Sequence, residues 1–397
     1  MTPAPVPQVD IDPFSAQVLA DPYPFHEILR DAGPLVWLPA VPVFAMARHA
    51  QVKAALADHE TYCSGRGVGL ADFARETPFR PASLLLETDP PIHDRTRGIM
   101  NKIVTLSALR AQRDRWSGIA DALIDQLVEK RIFDAVSELS EPFPLQVFPD
   151  TIGLPLLGRE HLLTYATSVF NAFGPRNGIF EAAQRGAGEA AGWVIEACRR
   201  KNLSANGWGM AVFAAADRGE CTEAEAERLV RSFLSAGVDT TVNGIGHMVL
   251  AFATHPEAWR QVRANRNLAR SVFDESLRWD STVQTFFRTT TREVCVAGHT
   301  LPEHSKVLLF LASANRDPRY WQNPELFDPT RKNAGHVGFG FGIHQCLGQM
   351  VAREEANVVL NSMLARIETI KLKAPPRRRI NNTLHALQSL LIEVTPA

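Results

Sequence analysis

The run Phe339-Gly340-Phe341-Gly342-Ile343-His344-Gln345-Cys346-Leu347-Gly348 constrains this 397-residue chain more than any other segment. Three glycines, one histidine and one cysteine at these offsets describe a tight backbone loop that presents a single sulfur. Zinc sites and disulfides need partner cysteines, and no second cysteine lies nearby in the sequence. The others, Cys63, Cys198, Cys221 and Cys295, are scattered without a pairing motif, the pattern of a reducing cytoplasm. A haem iron needs only one axial ligand from such a loop, and a thiolate there pushes electron density toward O–O cleavage.

The string resembles, position for position, the cysteine-ligand loop of the cytochrome P450 family, and the resemblance covers essentially the whole chain. It implies a mainly α fold with small β-sheets, one domain over residues 1–397. Haem b (iron protoporphyrin IX) would lie between a long central helix and the cysteine loop, with Cys346 as iron ligand and Phe339 packed beside it. Basic and acidic side chains number 42 and 43, which argues against a polyanion-binding protein. The N-terminus is proline-rich without an apolar signal core, and no stretch of about 18 apolar residues occurs. The expectation is a soluble bacterial type: a cytoplasmic monomer with no membrane or nucleic-acid partner. No four-cysteine cluster and no spare length for a flavin domain are present. Electrons would therefore come from a separate [2Fe-2S] ferredoxin with its reductase and NAD(P)H.

Helical periodicity dominates residues 109–275. Thr222 and Glu225 form a Thr-x-x-Glu capping box, which predicts a helix from there to about His255, where Pro256 stops it. At about 1.5 Å per residue its length is roughly 50 Å, enough to cross the molecule. Inside it, Ala236-Gly237-Val238-Asp239-Thr240-Thr241 is poor helix-forming sequence. A threonine hydroxyl that bonds back to the chain would open a groove there. In the resembled family this groove holds dioxygen, and Asp239 and Thr240 deliver protons to it. Residues 35–38 with 43–46 predict an N-terminal hairpin, and residues 293–301 with 306–311 a second one.

Haem carries two propionates, and burying them requires cations or strong donors. His93 and Arg97 stand i, i+4 on a helix predicted to start after Pro90-Pro91. Arg288 follows Phe286-Phe287, and His344 precedes the cysteine by two residues. The resemblance makes all four propionate contacts. It also makes Glu275, Arg278 and Arg331 a structural set that locks the loop before the cysteine. An isolated Glu-x-x-Arg carries no weight; this one stands 71 residues before Cys346, where the family has it.

The resemblance lines the distal pocket with Leu86, Val169, Phe170, Phe173, Ala236, Val283 and Phe286, an apolar, aromatic slot. The polar exceptions are Arg80 and Ser83, before the propionate helix, and Arg231, Ser232 and Ser235 in the central helix. Arg231 and Ser235 are i, i+4 and are expected to share a face. Ser235 lies five residues before Thr240, about 7.5 Å along the axis. If Thr240 marks the oxygen site, Ser235 marks a polar anchor about one benzene ring plus a carboxylate away.

Four runs closely resemble the para-substituted-benzoate monooxygenases of this family, which demethylate 4-methoxybenzoate. They are Arg80-Pro-Ala-Ser83-Leu, Val169-Phe-Asn-Ala-Phe-Gly-Pro, Leu234-Ser-Ala-Gly-Val-Asp-Thr-Thr and Val283-Gln-Thr-Phe-Phe-Arg. Ser83 and Ser235 match the serines that hold the carboxylate there, with Arg80 and Arg231 nearby. The expected activity is O2-dependent hydroxylation or O-demethylation of the para substituent of an aromatic carboxylic acid. The alternatives are a P450 acting on another small hydrophobic substrate, a peroxide-driven haem-thiolate enzyme, and a non-enzymatic haem sensor. A peroxide-driven relative replaces the acid–alcohol pair that is intact here, and a sensor usually carries an output domain.

Overall fold

The computed structural model describes residues 5–397. The capping box forms: Thr222 Oγ1 accepts from the Glu225 N–H at 3.2 Å, and Glu225 Oε2 accepts from the Thr222 N–H at 2.9 Å. The expected single helix is, however, two. Glu223–Gly237 ends at Val238, and Asp239–Thr254 continues beyond it. The break falls in the run of weak helix formers. Thr240 Oγ1 donates to Ala236 O at 2.6 Å and Thr241 Oγ1 to Gly237 O at 3.0 Å. Hydroxyls thus occupy carbonyls just ahead of the break, the substitution that lets a helix bend. Every residue from Thr241 to Phe252 is buried, so this half is core on all its faces.

Helix Leu106–Lys130 is capped by Thr105 and packs along Gln349–Arg366. Its buried positions Trp116, Ala120, Ile124 and Leu127 recur at helical spacing and make one apolar stripe. That stripe holds the helix that begins just after Cys346. Among the described residues no helix is long and apolar enough to cross a membrane.

The largest sheet has five strands, in the order Val36–Leu38, Val43–Met46, Lys306–Phe310, Thr285–Thr290, Tyr62–Cys63. The N-terminal hairpin is present, with Val36 opposite Ala45. The second predicted hairpin is not. Val294–Val296 folds back on His299–Leu301 across Ala297-Gly298, both at positive φ (49° and 88°), a two-residue turn suited to a hairpin. Lys306–Phe310 instead pairs antiparallel with Thr285–Thr290 and parallel with Val43–Met46. Val307 to Phe310 are all buried, and such a two-faced apolar strand belongs in the middle of a sheet. Phe286 and Arg288 alternate with Phe287 on Thr285–Thr290, so both project from one face.

Glu275 and Arg278, at the end of helix Ala269–Trp279, are fully buried and form a bidentate pair at 2.8 and 2.9 Å. Arg331 Nε also donates to Glu275, at 3.0 Å. Arg278 further donates to the carbonyls of Asn315, Pro324 and Leu326, and Arg331 to those of Gln322, Asn323 and Leu326. The three side chains therefore clamp residues 322–328 ahead of the cysteine loop, the structural part expected of them.

Candidate active site

Between the broken helix and the cysteine loop lies a cavity lined by residues of both. Its proximal floor is the loop from Gly338 to Gly348. Gly340 and Gly342 take φ of +70° and +75°, and a Cβ on Gly342 would sit 2.4 Å from Leu56 O. A side chain is excluded at Gly342 by both torsion and space, and disfavoured at Gly340 by torsion.

Cys346 N–H donates to Phe339 O at 2.8 Å, which closes the loop. Burial pushes the Cys346 thiol up, opposed by the N–H groups of Gly348 and Gln349 and by the Arg97 and Arg353 guanidiniums. Those two N–H groups open helix Gln349–Arg366, so the sulfur faces a positive helix terminus. A metal that takes the sulfur as thiolate displaces its proton. Phe339 packs against Phe273 and lies under Arg353, whose guanidinium is 4.6 Å from the ring centre.

Above the loop stand cations with little to neutralise them. Arg288 is buried and donates to its neighbour's carbonyl, Phe287 O, at 2.8 Å; burial pushes it down to about 10. Burial also lowers Arg97, which bonds Asn101 at 3.3 Å. Neither forms an ion pair with a carboxylate among the described residues. His344 donates from Nδ1 to Leu85 O at 3.1 Å, while its Nε2 is buried, with Asp89 Oδ1 3.8 Å away and no partner within hydrogen-bond distance. His93 does not line the cavity but packs against His344, with ring centres 4.5 Å apart, and its Nε2 is likewise orphaned. Buried polar atoms without a partner call for one. One sulfur below, with Arg97, Arg288 and His344 on the cavity wall and His93 packed against His344, fits haem b: Cys346 would hold the iron, and Arg97, Arg288 and His344, backed by His93, the propionates.

Thr240 faces the cavity at the break, but Asp239 points away from it and is fully buried. Its carboxylate accepts from Arg379 Nη2 at 2.9 and 3.2 Å and from Asn243 Nδ2 at 2.9 Å. Thr167 Oγ1 lies 3.4 Å away. The Arg379 side chain is 31% exposed, so it joins the buried acid to solvent. No local pattern marks Arg379, which lies 140 residues from its partner in a run of three arginines.

Arg80, Ser83, Leu86, Val169, Phe170, Phe173, Ser235, Ala236, Val283 and Phe286 all line the cavity. Arg231 does not. It lies five residues before Ala236, about 140° round the helix at 100° per residue, and its charge acts instead on Tyr165 and Cys198 behind the wall. Ser232, one turn before Ala236, is on the wall that Arg231 misses. Ser232 Oγ donates to Arg228 O at 3.0 Å, and the Arg228 guanidinium bonds Ala82 O. The loop that carries Ser83 is thereby tied to the helical turn that carries Ser232. Ser83 Oγ accepts from Leu86 N–H at 3.2 Å, which leaves its own hydrogen free to donate. Arg80 is paired with buried Glu87 at 2.9 Å and lies over the Phe173 ring, so most of its charge is already balanced.

The sequence profile of the cytochrome P450 family matches residues 197–395. The chain is 50% identical over 393 residues to the cytochrome P450 CYP199A2 of Rhodopseudomonas palustris, a match covering 99% of this chain and 95% of the relative. It is 30% identical over 395 residues to the beta-dihydromenaquinone-9 omega-hydroxylase of Mycobacterium tuberculosis, covering 98% and 79%. Among solved structures, P450BioI in complex with an acyl carrier protein superposes with a TM-score of 0.84 at 26% identity, covering 96% of this chain and all of that one. CYP109Q5 of Chondromyces apiculatus gives 0.82 at 28%, covering 98% and 99%. With the thiol loop, the rim of bases and the clamped Glu–Arg pair in place, the chain belongs to the cytochrome P450 family and is a haem b monooxygenase.

Proposed function

We propose that this monooxygenase oxidises the para substituent of aromatic carboxylic acids such as 4-methoxybenzoate. The observation that carries this reading is the placement of Ser83, Ser232 and Ser235 on the wall of a mainly apolar cavity that has Cys346 on its floor. The Ser83 hydroxyl has its hydrogen free for a carboxylate, while the Ser232 and Ser235 hydroxyls, which donate to Arg228 O and Ser232 O, would have to turn toward it; Phe170, Phe173 and Phe286 form an apolar slot for a flat ring. The Arg80 and Arg228 guanidiniums add positive potential at the same end, tempered by Glu87. A ring anchored there points its para position toward the sulfur end.

Haem b, when bound, supplies the activation of dioxygen. The chain's part is orientation and proton supply. Asp239 takes protons from solvent when Arg379, whose side chain reaches the surface, releases it, and passes them to the groove that Thr240 opens. Because Asp239 is held by Arg379, each delivery requires that pair to part. Asp239→Asn is expected to lower kcat by about 100-fold, the size of a general acid–base contribution, with substrate affinity within about twofold. Unchanged turnover would remove Asp239 from proton delivery.

Hydroxylation of a methoxy carbon gives a hemiacetal that expels formaldehyde. Turnover of 4-methoxybenzoate, with a [2Fe-2S] ferredoxin, its reductase and NAD(P)H, is expected to yield 4-hydroxybenzoate and formaldehyde in equal amounts. Absence of both products, with electron transfer intact, would exclude this substrate class. The reading extends to a cytoplasmic, single-domain monomer that receives ferredoxin at the outer side of the cysteine loop. There Lys53 lies over the exposed ring of Phe341.

A further inference from the structure

A buried acid that the foregoing chemistry does not use joins the two ends of the cysteine loop. Asp274 stands one residue before Glu275 on helix Ala269–Trp279 and is buried. Its Oδ1 accepts from His336 Nε2 at 2.9 Å. The Arg353 guanidinium grips the same carboxylate, with Nε 2.9 Å from Oδ2 and Nη2 2.7 Å from Oδ1. His336 precedes Cys346 by ten residues and Arg353 follows it by seven. Asp274 therefore ties the stem that enters the loop to the helix that leaves it.

The charges of this set are determined by its bonds. Gly338 N–H donates to His336 Nδ1 at 3.2 Å. A backbone N–H cannot accept, so the ring's proton is on Nε2 and goes to Asp274, and His336 is neutral. Burial would raise the Asp274 carboxyl, but His336 and Arg353 hold it down to about 2. One negative and one positive charge thus remain, in contact with each other.

Arg353 stands where its charge reaches the sulfur. It lies one helical turn beyond Gln349, whose N–H faces Cys346, and its Nη1 donates to Gln349 Oε1 at 2.9 Å. Side chains on a helix lean toward its N-terminus, here the sulfur end. The guanidinium also covers the ring of Phe339, whose carbonyl takes the Cys346 N–H. A bare cation at this place would draw electron density from the sulfur. The carboxylate bound to it cancels most of that field.

We propose that Asp274 sets the electron-donor strength of the Cys346 sulfur, and with it the reduction potential of the haem iron, by fixing Arg353 beside the loop and cancelling its charge. Neither Asp274 nor Arg353 lines the cavity; both are positioning residues that act through the loop. Their opposite charges demand opposite effects. With the acid neutralised, the uncancelled guanidinium favours the ferrous state, which holds one electron more. With the guanidinium neutralised, the uncancelled carboxylate favours the ferric state. A clamp that served the fold alone would not give the two substitutions opposite signs.

A spectroelectrochemical titration of the substrate-free holoenzyme tests this. Asp274→Asn is expected to shift the ferric–ferrous equilibrium toward ferrous by about threefold to tenfold, roughly 30–60 mV for one electron. Arg353→Gln is expected to shift it toward ferric by a similar factor. The double variant is expected to return to within about twofold of wild type, because each substitution removes what the other leaves uncompensated. Any pattern other than opposite shifts in the two single variants would overturn the proposal. The Arg353 side chain is 33% exposed, so if Asp274→Asn does not retain haem, Arg353→Gln carries the test alone. A shift toward ferric then supports the proposal, and no shift or one toward ferrous overturns it.

Discussion

Cys346→Ser is expected to abolish the red-shifted Soret band of the reduced carbon monoxide complex completely, while the chain still folds. The sulfur sits in a loop whose shape is set by other atoms: Gly340 and Gly342 at positive φ, the Cys346 N–H on Phe339 O, and the clamp on residues 322–328. Serine fits the same backbone. It removes only the polarizable donor that the Gly348 and Gln349 N–H groups and the Arg97 and Arg353 charges stabilise as an anion. Difference spectra of dithionite-reduced protein, with haem content measured separately, check this. A retained thiolate band in the serine variant would overturn Cys346 as the ligand.

Arg278→Ala is expected to destabilise the fold by about 3–5 kcal/mol, the cost of leaving a buried charge without its partner. Glu275 would keep only Arg331, and the carbonyls of Asn315 and Pro324 would lose their guanidinium donor. Arg278→Lys is expected to recover little, because one ammonium cannot reproduce the fork that serves Glu275 and three carbonyls together. A denaturant midpoint falling at unchanged slope is the readout. If the alanine variant does not accumulate, the lysine variant carries the test. Wild-type stability in either would contradict a structural role for this pair.

What was legible in the sequence was what lies close along the chain. The cysteine loop, the capping box at Thr222 and the weak helical run at residues 236–241 each have a local physical cause, and each stands where it was expected; of the His93–Arg97 pair only Arg97 lines the cavity. The break at Val238 was visible as poor helix propensity; that two hydroxyls would take up carbonyls ahead of a complete interruption was not. Arg231 shows how a short step of helical phase misleads. Arg231 and Ser235 are i, i+4, yet the cavity face runs through Ser232 and Ala236, and Arg231 falls behind it. The pairing of Asp239 with Arg379 and the placing of Lys306–Phe310 against Thr285–Thr290 join segments through tertiary packing. No period or motif encodes such partners.

The central claim is that a carboxylate is held at the serine end of the cavity, so that the para position meets the sulfur end. Titrating the ferric enzyme with 4-methoxybenzoate, 4-methoxybenzamide and 4-methoxybenzyl alcohol, scored by spin-state shift, tests it most directly. The acid is expected to bind at least tenfold more tightly than either neutral analogue, in line with charged hydrogen bonds being the stronger ones. The Ser83→Ala, Ser235→Ala double variant is expected to erase most of that difference. Equal affinity for all three ligands in the wild-type enzyme would contradict the account.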